Sequence, residues 1–92
     1  MWRGSLAFDV HWHEQALDDL KSLDRSIAGK IVDRVKNHLS EKPADLGKPL
    51  KGVLKGLYRY RFGDYRIIFA IDRSESSISV LHIAHRKDVY RR

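Results

Sequence analysis

Two alternating runs meet at Gly63-Asp64, and no other feature of the chain restricts its fold as much. Leu57–Phe62 lies before the pair and Tyr65–Asp72 after it, and in both the residue character changes at every second position. Period two is the signature of a strand, because successive side chains point to opposite faces. A two-residue connection with glycine first suits a type II′ turn, whose first central residue needs a positive φ. The runs predict an antiparallel hairpin in which Phe62 pairs with Tyr65 and Arg61 stands directly opposite Arg66.

Parity then sorts the side chains. Tyr58, Tyr60 and Phe62 share a face with Tyr65, Ile67, Phe69 and Ile71, a surface fit to be buried. Arg59 and Arg61 share the other face with Arg66, Ile68 and Ala70. Like charges directly opposite on a sheet are destabilising, so Arg61 against Arg66 marks a place that a bound anion would relieve. Neutralisation by Asp64, Asp72 or Asp88, or simple solvation, is the competing account. Guanidinium offers phosphate a planar, two-pronged donor, and the favoured reading is a phosphate-binding sheet face.

A third strand is expected over Ser77–His85, after the polar turn Arg73-Ser74-Glu75-Ser76. Strict alternation puts Ile78, Val80, His82, Ala84 and Arg86 on one side, and Leu81 and Ile83 on the other. With Leu81 and Ile83 as core, His82, Ala84 and Arg86 join the arginines; His85 lies at the strand end. Tyr90 follows with Arg91 and Arg92, and a tyrosine among basic residues can stack on a nucleobase or tuck against the sheet edge. Upstream, Leu6–Trp12 alternates as a first strand. Ala16, Leu17, Leu20 and Leu23 then repeat at helical spacing within Glu14–Leu23. Asp24 is placed to cap a second helix over Arg25–Glu41, striped by Ile27, Ile31, Val35 and Leu39 and stopped by Pro43. Residues 43–56 hold Pro43, Gly47, Pro49, Gly52 and Gly56, which predicts an irregular connection, and this carries Lys48, Lys51 and Lys55. The expectation is one α+β domain over residues 1–92: a strand, an antiparallel two-helix hairpin, then a three-stranded antiparallel meander with the helices on one sheet face.

Charge sharpens the picture. The 92 residues carry a formal net charge of +6, but residues 1–46 hold 7 basic and 8 acidic side chains while residues 47–92 hold 11 and 4. Such an excess in half of a small domain attracts polyanions. The chain has no cysteine, which removes disulfides, thiolate metal sites and a thiol nucleophile. No apolar run is long enough to span a bilayer, and the N-terminus lacks the apolar segment of a signal peptide, so a cytoplasmic location is expected. His11 and His13 alternate onto one strand face but have no third ligand near them in sequence. Asp18 and Asp19 read as the solvated face of a helix. Phosphate-loop and Ser/His/Asp patterns are absent. Neither a metal nor a cofactor is expected.

Four segments together resemble the RelE/ParE superfamily of toxins from toxin–antitoxin pairs. They are the helix Ala16…Asp19-Leu20…Leu23, the run Gly47-Lys48-Pro49-Leu50-Lys51-Gly52, the hairpin from Gly56 to Arg66, and the ending from Ile83 to Arg91. The resemblance covers nearly the whole chain. It implies a small RNase-like α+β fold, neutralisation by a cognate antitoxin protein and, in the RelE branch, cleavage of mRNA in the ribosomal A site. Arg59 and Arg61 then match positions that are often lysine, Arg66 the arginine after the hairpin tyrosine, Arg86 the basic residue closing the last strand, and Tyr90 the C-terminal tyrosine. His85 falls where some branches carry a basic or histidine residue. The replacement of lysine by arginine matters, because arginine holds phosphate well but does not surrender a proton.

Metal-free RNA cleavage of this kind runs through attack of the ribose 2′-OH on the adjacent phosphorus. Arg61 and Arg66 are the candidates for stabilising the phosphorane, Arg59 for a neighbouring phosphate and Arg86 for the leaving group. His85 is the first candidate proton carrier and His82 the second, with Tyr90 orienting a base. Lys48, Lys51, Lys55, His82, Lys87, Arg91 and Arg92 are the expected contacts to message and ribosome. The alternative implied by the resemblance is a ParE-like toxin that inhibits DNA gyrase without cutting RNA.

Overall fold

The structure, a computed structural model, describes residues 7–86. Strand β1 spans Asp9–Trp12, helices α1 and α2 span Glu14–Lys21 and Arg25–Asn37, and the short helix α3 spans Pro43–Leu46. Strands β2 (Lys48–Pro49), β3 (Tyr58–Phe62), β4 (Tyr65–Asp72) and β5 (Ser77–His85) follow. They form one five-stranded sheet in the order β1-β5-β4-β3-β2. The fold is α+β, as expected, and the meander β3-β4-β5 is antiparallel throughout. Two features go beyond the expectation. Lys48–Pro49 adds a short antiparallel strand beside β3, and β1 joins the sheet parallel to β5, with Asp9 opposite Ser77 and Trp12 opposite Val80.

The core lies between the sheet and the helices. Ala16 of α1, Ile31 and Val35 of α2, and Leu39 beyond it are fully buried, together with Ile67, Phe69, Ile78 and Val80 of the sheet. Tyr60 and Ile83 complete it, and Val10, Trp12, Tyr58, Phe62, Tyr65 and Ile71 pack on its margin. Burial of that apolar area is the main stabilising term. The residues on the opposite sheet face between these positions include the arginines.

The second helix ends four residues before the expected boundary. His38 leaves helical geometry at φ −133° and ψ −62°, and its Nδ1 shares a 2.6 Å hydrogen bond with Tyr60 Oη. Leu39–Glu41 continues as a 3-10 turn, in which the buried Ser40 hydroxyl donates to the Lys36 carbonyl at 2.6 Å and satisfies an orphan of the helix end. Pro43 therefore does not stop α2; it opens α3 at the first-turn position where its missing N–H costs nothing. Helix α1 likewise stops at Lys21, and Leu23 reaches the core from the connection. Asp24 occupies the cap position of α2 without a side-chain cap bond. His13 caps α1 instead, its Nδ1 accepting from the Gln15 amide at 3.1 Å.

One irregularity shapes the last strand. Ile68 pairs with His82 but Phe69 pairs with Val80, so Leu81 is an extra residue, a β-bulge. The alternation reverses there. Ile78 and Val80 face the core, as Ile83 does, while His82 and Ala84 take the open face. The expected grouping of Ile78 and Val80 with His82 is thus corrected by a single inserted residue.

Candidate phosphate-binding face

The hairpin adopts the register its sequence predicts. Phe62 pairs with Tyr65 and Arg61 with Arg66, and Gly63 sits at φ +58° while Asp64 has no positive φ, the pattern of a type II′ turn. Arg61 and Arg66 project from the open face and line a cavity of about 190 Å³ with Gly63, Asp64, Tyr65 and Arg86. A neighbouring cavity of about 180 Å³ is lined by Leu46, Lys48, Arg59, Tyr60 and Arg61. Lys48 is directly opposite Arg59. The short strand β2 thereby extends the basic face by one rung, and Arg61 belongs to both cavities. Lys48, Arg59, Arg61, Arg66 and Arg86 form one continuous cationic surface.

One acidic residue, Asp64, lines the first cavity. The Asp64 carboxylate stands 3.8 Å from the Arg86 guanidinium, and both side chains are more than half exposed, so solvent screens the pair. The Arg86 amide donates to the Asp64 carbonyl at 2.6 Å, which fixes the strand end over the turn. Asp72 is committed elsewhere. Its Oδ1 accepts from Ser74 Oγ at 2.8 Å and from the Glu75 amide at 3.1 Å, and the Ser74 bond chiefly holds its carboxyl below the usual range. Asp88 lies outside the described residues.

The two histidines separate. By register His85 is opposite Tyr65, and the rings meet edge-on with centroids 5.1 Å apart. His85 therefore takes the aromatic face rather than the arginine face. His82 lies opposite Ile68 on the open face. Its Nδ1 is 2.7 Å from Asp19 Oδ2, and the same oxygen accepts from the Ile83 amide at 2.8 Å. Gln15 Nε2 donates to the other carboxylate oxygen at 2.9 Å. Asp19 is thus not simply part of a solvated helix face: it closes the edge of β5 beyond β1 and orients a histidine. The signal available in sequence was the Asp19-Leu20 pair within the first helix; its partner lay 63 residues away.

Lys51 and Lys55 flank a 3-10 turn at Gly52–Leu54, exposed and apart from both cavities. Lys87, Tyr90, Arg91 and Arg92 lie outside the described residues. No group of three metal-ligating side chains occurs among the described residues, and none of their helices is long and apolar enough to cross a membrane.

Comparisons with known proteins identify relatives of the chain. The family model that matches is the ParE toxin of the type II toxin–antitoxin system parDE, over residues 10–90. Toxin RelE of Mycobacterium tuberculosis is 42% identical over 76 residues, which cover 83% of this chain and 78% of that protein. Toxin RelG of the same organism is 33% identical over 87 residues, 95% of this chain and all of its own length. Among solved structures, the RelBE2 toxin–antitoxin complex of M. tuberculosis superposes with a TM-score of 0.84 at 31% identity, covering 87% of this chain and 92% of that one. From strand β1 to the end of the sheet, sequence and fold give one answer: the chain belongs to the RelE/ParE superfamily, as a RelE-like toxin of a type II toxin–antitoxin system.

Proposed function

We propose that this toxin is a metal-independent endoribonuclease that cuts mRNA in the ribosomal A site and is neutralised by a cognate antitoxin. The observation that carries the reading is Arg61 held directly opposite Arg66, with Arg86 on the rim of the same cavity. Two guanidinium groups at one rung of one cavity offer a phosphate or phosphorane paired, charge-assisted donors. Arg61 and Arg66 stabilise the charge that develops as the 2′-oxygen attacks. Arg59 and Lys48 hold an adjacent phosphate, and Arg86 offsets charge on the departing 5′-oxygen. The arginines bind but do not move protons, so the isolated protein is a weak nuclease and cuts efficiently only where the ribosome positions the message. The solved RelBE2 complex supports a protein antitoxin as the partner, with an acidic or amphipathic segment suited to this basic surface.

Primer extension on a message translated in vitro tests the reading. Discrete cuts at A-site codons with the wild type, lost in Arg66→Ala, are expected. The matching family is named for ParE, which gives the second reading its support: uncut message with a folded wild type, and inhibition in a gyrase supercoiling assay, would replace the nuclease with a gyrase inhibitor.

A further inference from the structure

We infer that His82, oriented by Asp19, is the proton carrier of the arginine face. The inference rests on the nuclease reading above and supplies what that reading lacks, a group able to accept a proton near neutral pH. Asp19 Oδ2 can only accept, so at 2.7 Å the His82 Nδ1 carries the hydrogen. In the neutral ring the lone pair is then on Nε2. Nothing among the described residues bonds Nε2, and the side chain is 49% exposed against 16% for Asp19. A carboxylate fixing one imidazole nitrogen so that the other is free to take a proton is the arrangement used by acyl-transfer triads.

Position supports the role. His82 is on the same sheet face as Arg66, one strand over and diagonal to it, because Arg66 pairs with Ala84 and Ile68 with His82. Backbone positions of diagonal neighbours on a sheet lie about 7–8 Å apart, a spacing on the scale of one nucleotide. The groups facing His82 are Asp19 from α1, Arg66 from β4 and, further along its own rung, Arg59 and Lys48. His85 instead pairs with Tyr65 and meets its ring edge-on. The bulge at Leu81 is what makes the arrangement possible: Ile78, Val80 and Ile83 all stay in the core while His82 faces outward.

The step balances without a metal. The 2′-OH proton passes to His82 Nε2 as the O2′–P bond forms. The P–O5′ bond breaks, and the 5′-oxygen takes a proton from water. The products are a 2′,3′-cyclic phosphate and a 5′-hydroxyl end, and the imidazolium returns its proton to solvent.

Single-turnover cleavage on programmed ribosomes, measured against pH, tests the inference. His82→Gln retains an amide that can donate to Asp19, so the fold is kept while the proton carrier is removed. A fall of roughly 10²–10⁴-fold in rate is expected, with loss of the acid limb of the pH profile. Asp19→Asn is expected to keep the limb but lower the rate, since the ring loses the carboxylate that fixes its tautomer and orientation. Wild-type rate and profile in His82→Gln, or loss of the acid limb in His85→Gln instead, would overturn the assignment while leaving the nuclease standing. A wild type that does not cut would remove both. Nitrogen-15 shifts of the His82 ring give a readout independent of cleavage: the Nδ1–H tautomer is expected, and the Nε2–H tautomer would also overturn the inference.

Discussion

A Cβ built on Gly47 would lie 2.5 Å from Phe69 Cζ and 2.9 Å from the Pro43 carbonyl oxygen, although its φ of −88° is one that any residue adopts. Glycine is required there by the close approach of α3 to a fully buried ring, and not by backbone freedom. Gly47→Ala is expected to cost about 1–3 kcal/mol through overpacking, read as a lower denaturant midpoint; an unchanged midpoint would show that the ring slides aside. Tyr60 ties the end of α2 to the sheet through His38. Burial pushes its phenol above the ordinary value of 10.0, with Arg34 opposing the shift. Its contribution is therefore intact below pH 10 and lost as pH rises through the higher folded value. Tyr60→Phe should lower stability at neutral pH by roughly 1 kcal/mol and flatten the alkaline limb of a stability–pH curve; a limb identical to the wild type would assign alkaline unfolding to other groups. Arg61 is exposed, so Arg61→Thr is expected to change stability by no more than about 0.5 kcal/mol while reducing cleavage. A variant that loses activity only in proportion to lost stability would deny Arg61 a part in the reaction.

Strand β5 shows where element-level reading succeeds and where it stops. Its bounds, those of β4 and the Arg61–Arg66 register follow from the period-two pattern and the Gly63 turn, both local signals. The bulge at Leu81 leaves no such trace, because an inserted backbone residue looks in sequence like one more apolar position. The Asp19–His82 bond and the seating of β1 beside β5 depend on distant partners, and β2 is too short to show a period. His38 ends α2 by turning toward Tyr60, a partner 22 residues away, and nothing at Leu39–Glu41 breaks the helical stripe. The arginine face was legible because strand parity and charge coincide; the histidine on it was decided by the bulge. Deletion of Leu81 is expected to be severely destabilising, since it would set either Ile78 and Val80 or Ile83 against the solvent face. Circular dichroism and the denaturant midpoint measure this, and a near-native midpoint would mean that the strand tolerates either parity.

Across the whole molecule the two sheet faces divide the work. The helix side supplies the core, and the other side gathers Lys48, Arg59, Arg61, Arg66 and Arg86 around cavities that Asp64 also lines. Phosphate is expected to raise the melting temperature more than chloride at equal ionic strength, and Arg61→Thr should shrink the difference; equal responses to both salts would indicate screening alone. The placement of β1 has a further effect on the order in which the chain can become itself. Its residues leave the ribosome well before the strand they pair with, Ser77–Val80. The edge strand must wait, unpaired, while the helices and the β3-β4 hairpin are made, and the sheet can close only once β5 is out of the exit tunnel. A nascent chain therefore lacks its complete sheet until that last strand has been delivered.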